Sequence, residues 1–322
     1  MDNKLTKRRL SDFLAYEWIM MIIVAIAAII VLELVYSVAA TRLSTGQQFK
    51  YYLDEDIYSY DYNDKSIYNL LGETFSYDVL SVESENLTSS YNVLSVRLSV
   101  QEGDAIFTSS AEKEGEKVRA KEIIDNFPVY DMISLAESAK AYLQQFIDAD
   151  GSVYNETDYN EEYIRRYFDI RMKGDNRFRT EEEKEEGRKS EIERIKSLFK
   201  EVKDFETVLS CGEEKGLFYK YTKYEQTHNA NPDDENYKAA YEQQVNEDKE
   251  NLIYGFNMAA LTHAPERTDK KNVSDYLKIA DTQSAENVVL VFFDFGKYQE
   301  DLQYECISFF NTLVREFSDI LG

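Results

Sequence analysis

Histidine, cysteine and proline are nearly missing from this 322-residue chain, which holds two His, two Cys and three Pro. Each scarcity excludes something. With only His228 and His263, a histidine-built zinc centre is not expected. Cys211 and Cys306 are too few for a disulfide framework and lack the spacing of a thiolate metal site. An oxidising exterior would permit one bridge between them, and two free, half-buried thiols are an equal alternative. Three prolines exclude long stiff linkers. There is no Gly-rich phosphate loop and no G-x-S-x-G elbow. Positive charge is also short: 37 Lys and Arg face 61 Asp and Glu, for a net charge of −24. Residues 1–40 carry four basic and four acidic side chains, so the whole excess falls on residues 41–322. Such a surface repels nucleic acid and anionic membrane. Carboxylates are so numerous that no catalytic pair stands out. The expectation is a non-enzymatic protein with no catalytic residues, cofactor or metal, and no nucleic-acid partner.

What the chain does have is one long apolar run. Trp18 to Leu32 (WIMMIIVAIAAIIVL) is free of charge, Gly and Pro, and the apolar pattern extends from Phe13 to Ala40 across Glu17 and Glu33. A bilayer core of about 30 Å needs ~20 mostly apolar helical residues. Residues 13–40 therefore read as one membrane-spanning helix. Lys4, Lys7, Arg8 and Arg9 precede it, whereas Asp54, Glu55 and Asp56 follow soon after Arg42 and Lys50. Cations stay on the cytoplasmic side. Residues 1–12 then form a cytoplasmic tail, and residues 41–322 lie outside the cell membrane. Ser37-Val38-Ala39 offers a signal-peptidase alternative, but the apolar stretch exceeds the ~7–15 residues usual for a secretory signal. Glu33 sits near the outer end, either hydrated there or contacting a partner helix.

The remainder is aromatic-rich, with 25 Tyr, and reads as folded. Thr41–Gln48 is a polar tether. Phe49–Asp64 reads as a strand edge and loop, Lys65–Glu73 as a helix, and Tyr77–Val82 as a strand. Asn92–Val100 is a helix leading through Glu102-Gly103-Asp104 to a buried strand, Ala105–Thr108. Residues 111–122 are charged and exposed. Asp131–Ile147 and Glu161–Met172 have helical periodicity. Asp148-Ala149-Asp150-Gly151 looks like part of a calcium loop, but Phe146 and Thr157 fall where ligands belong, so a helix-ending turn is expected. Thr180 and Glu183 form a capping box opening a helix through Asp204, with a Glu/Lys/Arg run as its solvated face. Leu217–Tyr224 alternates like a strand; 229–234 is a loop and 235–250 a helix. Asn287–Phe295 (NVVLVFFDF) is a buried strand and Tyr304–Leu321 a terminal helix. Asn86, Asn155 and Asn272 stand in glycosylation acceptor patterns. Thr108, Ser109 and Ser110 end a buried strand, where α/β proteins place ligand contacts, and are the candidate ligand-binding residues.

Two stretches carry a resemblance. LSVRLSVQEGDAIFTS (Leu94–Ser109) resembles the helix–Gly-Asp–strand unit of extracellular solute-binding proteins with the two-lobed type 2 periplasmic-binding fold. ENVVLVFFDF with YECISFFNTLVREFS resembles the late strand and E-x-x-x-F helix that return to their first lobe. The resemblance implies a mixed α/β domain in two lobes, about 49–130 with 255–322 and about 131–254, with a cleft between. It implies binding of a small solute without chemistry, beside a membrane protein partner such as a transporter. The alternative is an envelope interaction or scaffold protein in which that fold is vestigial.

Overall fold

The computed structural model describes residues 18–39, 47–59, 66–71, 74–87, 91–115, 117–147, 159–222, 252–280, 282, 284–295 and 300–321. The tail 1–12, the Asp148–Gly151 turn, the 229–234 loop and the 235–250 helix lie outside them. The chain divides into two compact units, Met1–Leu43 and Ser44–Gly322.

The first unit contributes one helix, α1 (Trp18–Ala39), 22 residues long. Its large apolar side chains from Met20 to Leu32 that are described are all exposed. Side chains are described without a break only over 22–33, and no helix of described residues is by itself long and apolar enough to cross a membrane.

The second unit is a mixed α/β fold around a six-stranded sheet. Its strands are β1 (Gln48–Leu53), β3 (Ser81–Asn86), β4 (Ala105–Ser109), β5 (Phe218–Tyr221), β6 (Leu252–Asn257) and β8 (Val288–Phe292). The order across the sheet is β3-β1-β4-β8-β6-β5. β1 runs parallel to β3 and β4, and β8 is antiparallel to both β4 and β6. Two short strands, β2 (Ile57–Ser59) and β7 (Leu277–Ile279), pair separately.

Side chains alternate across this sheet, and both faces are covered. Phe49, Tyr51, Leu53, Phe107, Leu290 and Phe292 point into the larger core. That core is closed by α2 (Ile67–Leu71), α5 (Met132–Gln144), α6 (Glu161–Arg171), α7 (Glu181–Cys211) and α8 (Glu300–Phe317). Tyr52, Ile106, Tyr254, Val289 and Val291 point the other way, under α3 (Tyr91–Ser99) and α4 (Arg119–Asn126). This double cover explains the unbroken apolar run of β8, all five of whose residues are buried.

Several boundaries differ from expectation. β1 is an interior strand, paired on both sides, instead of an edge. The strand expected at Tyr77–Val82 begins only at Ser81, because Ser76–Leu80 form a turn in which the Val79 N–H donates a hydrogen bond to the Ser76 carbonyl. The exposed charged segment gives way to α4 at Arg119, whose Ala120 is buried. β6 had no sequence assignment. The capping box is present, with Thr180 and Glu183 bonding each other's backbone, and α7 runs on to Cys211.

Residues 131–147 and 159–211 pack on the same core as β1, β4 and α8, within one compact unit. The apolar faces of α5 and α7 (Leu135, Ala139 and Leu143; Ile195, Phe199 and Val202) lie in that core. Cys306 is buried, Cys211 half-buried, and both are free thiols.

The Gly103 turn has a steric cause. Its φ is +109°, and a Cβ there would lie 2.2 Å from the Tyr52 ring. Next to it, Asp104 is buried and accepts a 2.7 Å hydrogen bond from the Lys50 backbone N–H. Burial pushes its pKa up to about 8, with that hydrogen bond pulling the other way. A carboxyl raised in this way holds its proton longer in the folded than in the unfolded chain. Its stabilisation is complete below the ordinary Asp pKa of ~3.9 and drains away as pH rises through about 8. Asp104→Asn keeps the acceptor and removes the titration. Urea midpoints for wild type and D104N should coincide near pH 4 and separate towards pH 9, with D104N the more stable. Parallel curves would show that Asp104 is ionised throughout.

Candidate functional site

Two polar clusters stand out in the second unit. The first lies where β1 and β4 end. Thr108 is fully buried and donates to Asp54 Oδ2 at 2.7 Å. Arg119, at the start of α4, donates to both Asp54 oxygens, at 2.9 and 3.2 Å, and to Glu122 at 2.8 Å. Burial opposes the Arg119 charge, but Asp54 and Glu122 outweigh it and raise its pKa. Ser109 is buried and its hydroxyl accepts from the Ala111 N–H, while Ser110 donates to the Asn287 carbonyl at 3.3 Å. The structure thus brings Thr108 to Asp54 and turns all three candidate residues onto partners within the chain. This cluster is a closed ion pair that ties α4 to the strand ends.

The second cluster was not visible as a site in the sequence. A groove of about 420 Å³ opens between residues 74–77, α7 and α8. Thr74, Phe75 and Ser76 form one wall, Ser190 and Ser197 another, and Glu305 and Ser308 the third. None of Thr108, Ser109 and Ser110 lines it. Helix periodicity sets the walls, since positions 189, 190, 193, 194, 197 and 198 fall on one face of α7.

Beneath the groove lies a buried ion network. Glu191 is 0 % exposed and Arg194 3 %. Arg194 grips Glu191 with Nε at 3.0 Å and Nη2 at 2.9 Å, and the same Nη2 reaches the Tyr142 hydroxyl at 2.8 Å. Arg171 from α6 bridges Glu191 at 2.7 Å and Asp78 at 2.8 Å. Tyr77 donates to Glu191 at 2.8 Å. Burial alone would raise the Asp78 pKa, but Arg194 and Arg171 hold it below the usual carboxylate range. Ser76 Oγ connects this network to the groove, 2.6 Å from Asp78 Oδ1 and 2.9 Å from Glu305 Oε1.

The groove presents hydroxyls, an aromatic ring and charges of both signs on rigid helices. Such a lining can orient a small polar molecule. Among the described residues, no three His, Cys, Asp or Glu side chains gather as a metal-binding group. The His263 ring nitrogen Nδ1 lies 3.0 Å from its neighbour's carbonyl, that of Ala264. A helical projection holds the one signal that marks this site: Glu191 and Arg194 fall within the stripe of Ile192, Ile195, Leu198 and Phe199. No protein-family model, no curated protein and no solved structure matches this chain.

Proposed function

We propose that this chain is a single-pass cell-membrane protein whose Ser44–Gly322 unit works outside the membrane as a non-enzymatic, solute-binding-like protein beside a membrane partner such as a transporter. The groove over Arg194 and Glu305 carries the binding reading. Its volume of about 420 Å³ falls within the ~300–1,000 Å³ of small-molecule sites.

The anchor reading draws on α1. At ~1.5 Å per residue, its 22-residue backbone spans roughly 33 Å, enough for a bilayer core of about 30 Å. It contains a single Asp, Glu, Lys or Arg, Glu33. Arginine at mid-helix costs ~2.5–3.5 kcal/mol of insertion energy. Wild-type chain should stay in the membrane pellet after alkaline carbonate extraction, and Ile26→Arg with Ile29→Arg should move it to the supernatant. Release of the wild type would remove the anchor.

The binding reading is tested by thermal unfolding of the full chain in detergent against amino acids, sugars, short peptides, oligoanions and calcium. A ligand at a hundred times its Kd stabilises by ~2.7 kcal/mol, a clear rise in Tm. A flat panel on folded protein would favour the second reading, an envelope interaction protein. That reading draws on α3, where Val93 and Val96, with Val100 just past the helix end, are exposed apolar side chains. Pull-down from detergent that returns no specific protein partner would count against it.

A further inference from the structure

We propose that the chain pairs with a second copy of itself through the outer face of α6, the two helices lying antiparallel about a two-fold axis. This pairing is independent of the groove. α6 and the turn that closes it carry seven charged side chains, and these fall into two sets. Glu161, Arg165, Asp169 and Arg171 all reach side chains of α7: Lys196 at 3.8 Å, Glu185 at 2.7 Å, Arg188 at 2.9 Å and Glu191 at 2.7 Å. Glu162, Arg166 and Lys173 are exposed, and none of them makes a side-chain hydrogen bond or ion pair among the described residues. At about 100° of helix rotation per residue, these three share one stripe with Tyr163 and Ile170. Ile170 is 76 % exposed, the most of any large apolar side chain described. Tyr163 is steadied by an edge-on contact with Phe146, their ring centroids 5.9 Å apart.

The order of charge along the stripe selects the partner. A two-fold interface presents the same patch to itself, so that patch must be self-complementary. Glu162 stands at the start of the stripe and Lys173 at its end. Laid antiparallel, each Glu162 meets Lys173 of the second copy, and the pair occurs twice. Within one residue of that register, the aliphatic stem of Arg166 lies across Ile170 of the second copy, and Tyr163 comes beside its Lys173. Ile170 is thereby covered on both copies, and Tyr and Arg are residue types enriched in interfaces. A parallel pairing would set Glu162 on Glu162 and Lys173 on Lys173. An acidic protein or a lipid phosphate would satisfy the two cations and leave Glu162 opposed by like charge. One short helix per copy makes a small interface, so the dimer depends on concentration.

The competing account is the helix dipole, which also favours an acid in the first turn and a cation past the last, with no second copy. Sedimentation velocity of the full chain in density-matched detergent at low salt, over a range of concentrations, separates the two. Wild type should pass from monomer to dimer. Ile170→Arg should stay monomeric and keep the wild-type Tm, because the side chain it replaces is exposed. Glu162→Lys and Lys173→Glu each set like charges together at both ends of the contact, and each should weaken the dimer about tenfold or more. The double variant E162K/K173E reverses both signs and should return the dimer to near wild-type strength. The dipole account gives no dimer to restore and makes the double variant the least stable of the set. A wild type that stays monomeric at every concentration would overturn the proposal and leave the stripe to a lipid surface or an acidic protein. A dimer that survives I170R would place the contact elsewhere in the chain and overturn it too. A double variant no tighter than the singles would rule out the antiparallel pairing.

Discussion

Glu191→Ala should lower the unfolding free energy of the Ser44–Gly322 unit by about 3–5 kcal/mol. Both members of the Glu191–Arg194 pair are out of water, with side chains 0 % and 1 % exposed, so solvent screening does not discount the interaction. Removing the carboxylate leaves two guanidiniums and the Tyr77 hydroxyl facing the same hole. The cost comes from stranding those charges, and it exceeds what the intact pair contributes over an apolar equivalent. Urea unfolding of E191A, R194A and the double variant measures this directly. The double variant should cost clearly less than the sum of the singles. Strict additivity would mean that water or a rearranged side chain solvates the survivor. The same network sets an acid limit. Asp78 is depressed by its arginines, so its contribution is present above the ordinary carboxylate pKa and lost as pH falls through the lower folded value.

Phe310→Ala should cost a similar ~3–5 kcal/mol by a different route. Phe310 is fully buried and stacks on Phe256 with ring centroids 3.7 Å apart and planes 13° from parallel. Phe205 of α7 meets it edge-on at 6.0 Å. One ring thus joins β6, α7 and α8. Truncation removes its apolar contacts and leaves a cavity that three rigid elements cannot close. Phe310→Leu should recover a large part of the loss. A cost below ~1 kcal/mol for F310A would show that α8 moves in to fill the space. Arg315, which joins α8 to Glu201 and Asp204 of α7 at 2.9 and 2.6 Å, opposes such a movement.

Local signals in the sequence foretold the elements that carry their own reasons. The α7 start is written in Thr180 and Glu183, whose reciprocal bonds need no distant partner. β8 is written in five consecutive buried apolar residues, and α8 in the spacing of Cys306, Phe309, Phe310, Leu313 and Phe317. Elements defined by partners were harder to read. β3 (SVESEN) has no buried residue and exists because it pairs with β1. β6 (LIYGFN) lacks clean alternation because both faces are covered, and Gly255 is there because a Cβ would meet the Leu290 carbonyl oxygen at 2.6 Å. The groove was illegible for a similar reason. Its three walls are more than a hundred residues apart in the chain, and its floor charges sit in a Glu/Lys/Arg run that composition assigns to solvent. The strand-end residues Thr108 and Ser109 were legible as a position in an α/β unit, but Asp54 takes up the Thr108 hydroxyl and the Ala111 N–H that of Ser109.

The pairing of β4 with β8 has a consequence for how the chain folds. Ala105 faces Phe292 and Ser109 faces Val288, so the central seam of the sheet joins its early third to its last. Contacts of such sequence separation are slow to form, because a long loop must close before they return any stabilisation. During synthesis, β1, β3 and β4 emerge with one flank of β4 unpaired, and they wait for nearly the whole chain before β8 arrives. An unpaired strand edge of that kind invites the wrong neighbour. A ribosome stalled ahead of Val288 would therefore hold a chain that is open through the middle of its sheet, instead of one merely frayed at its end.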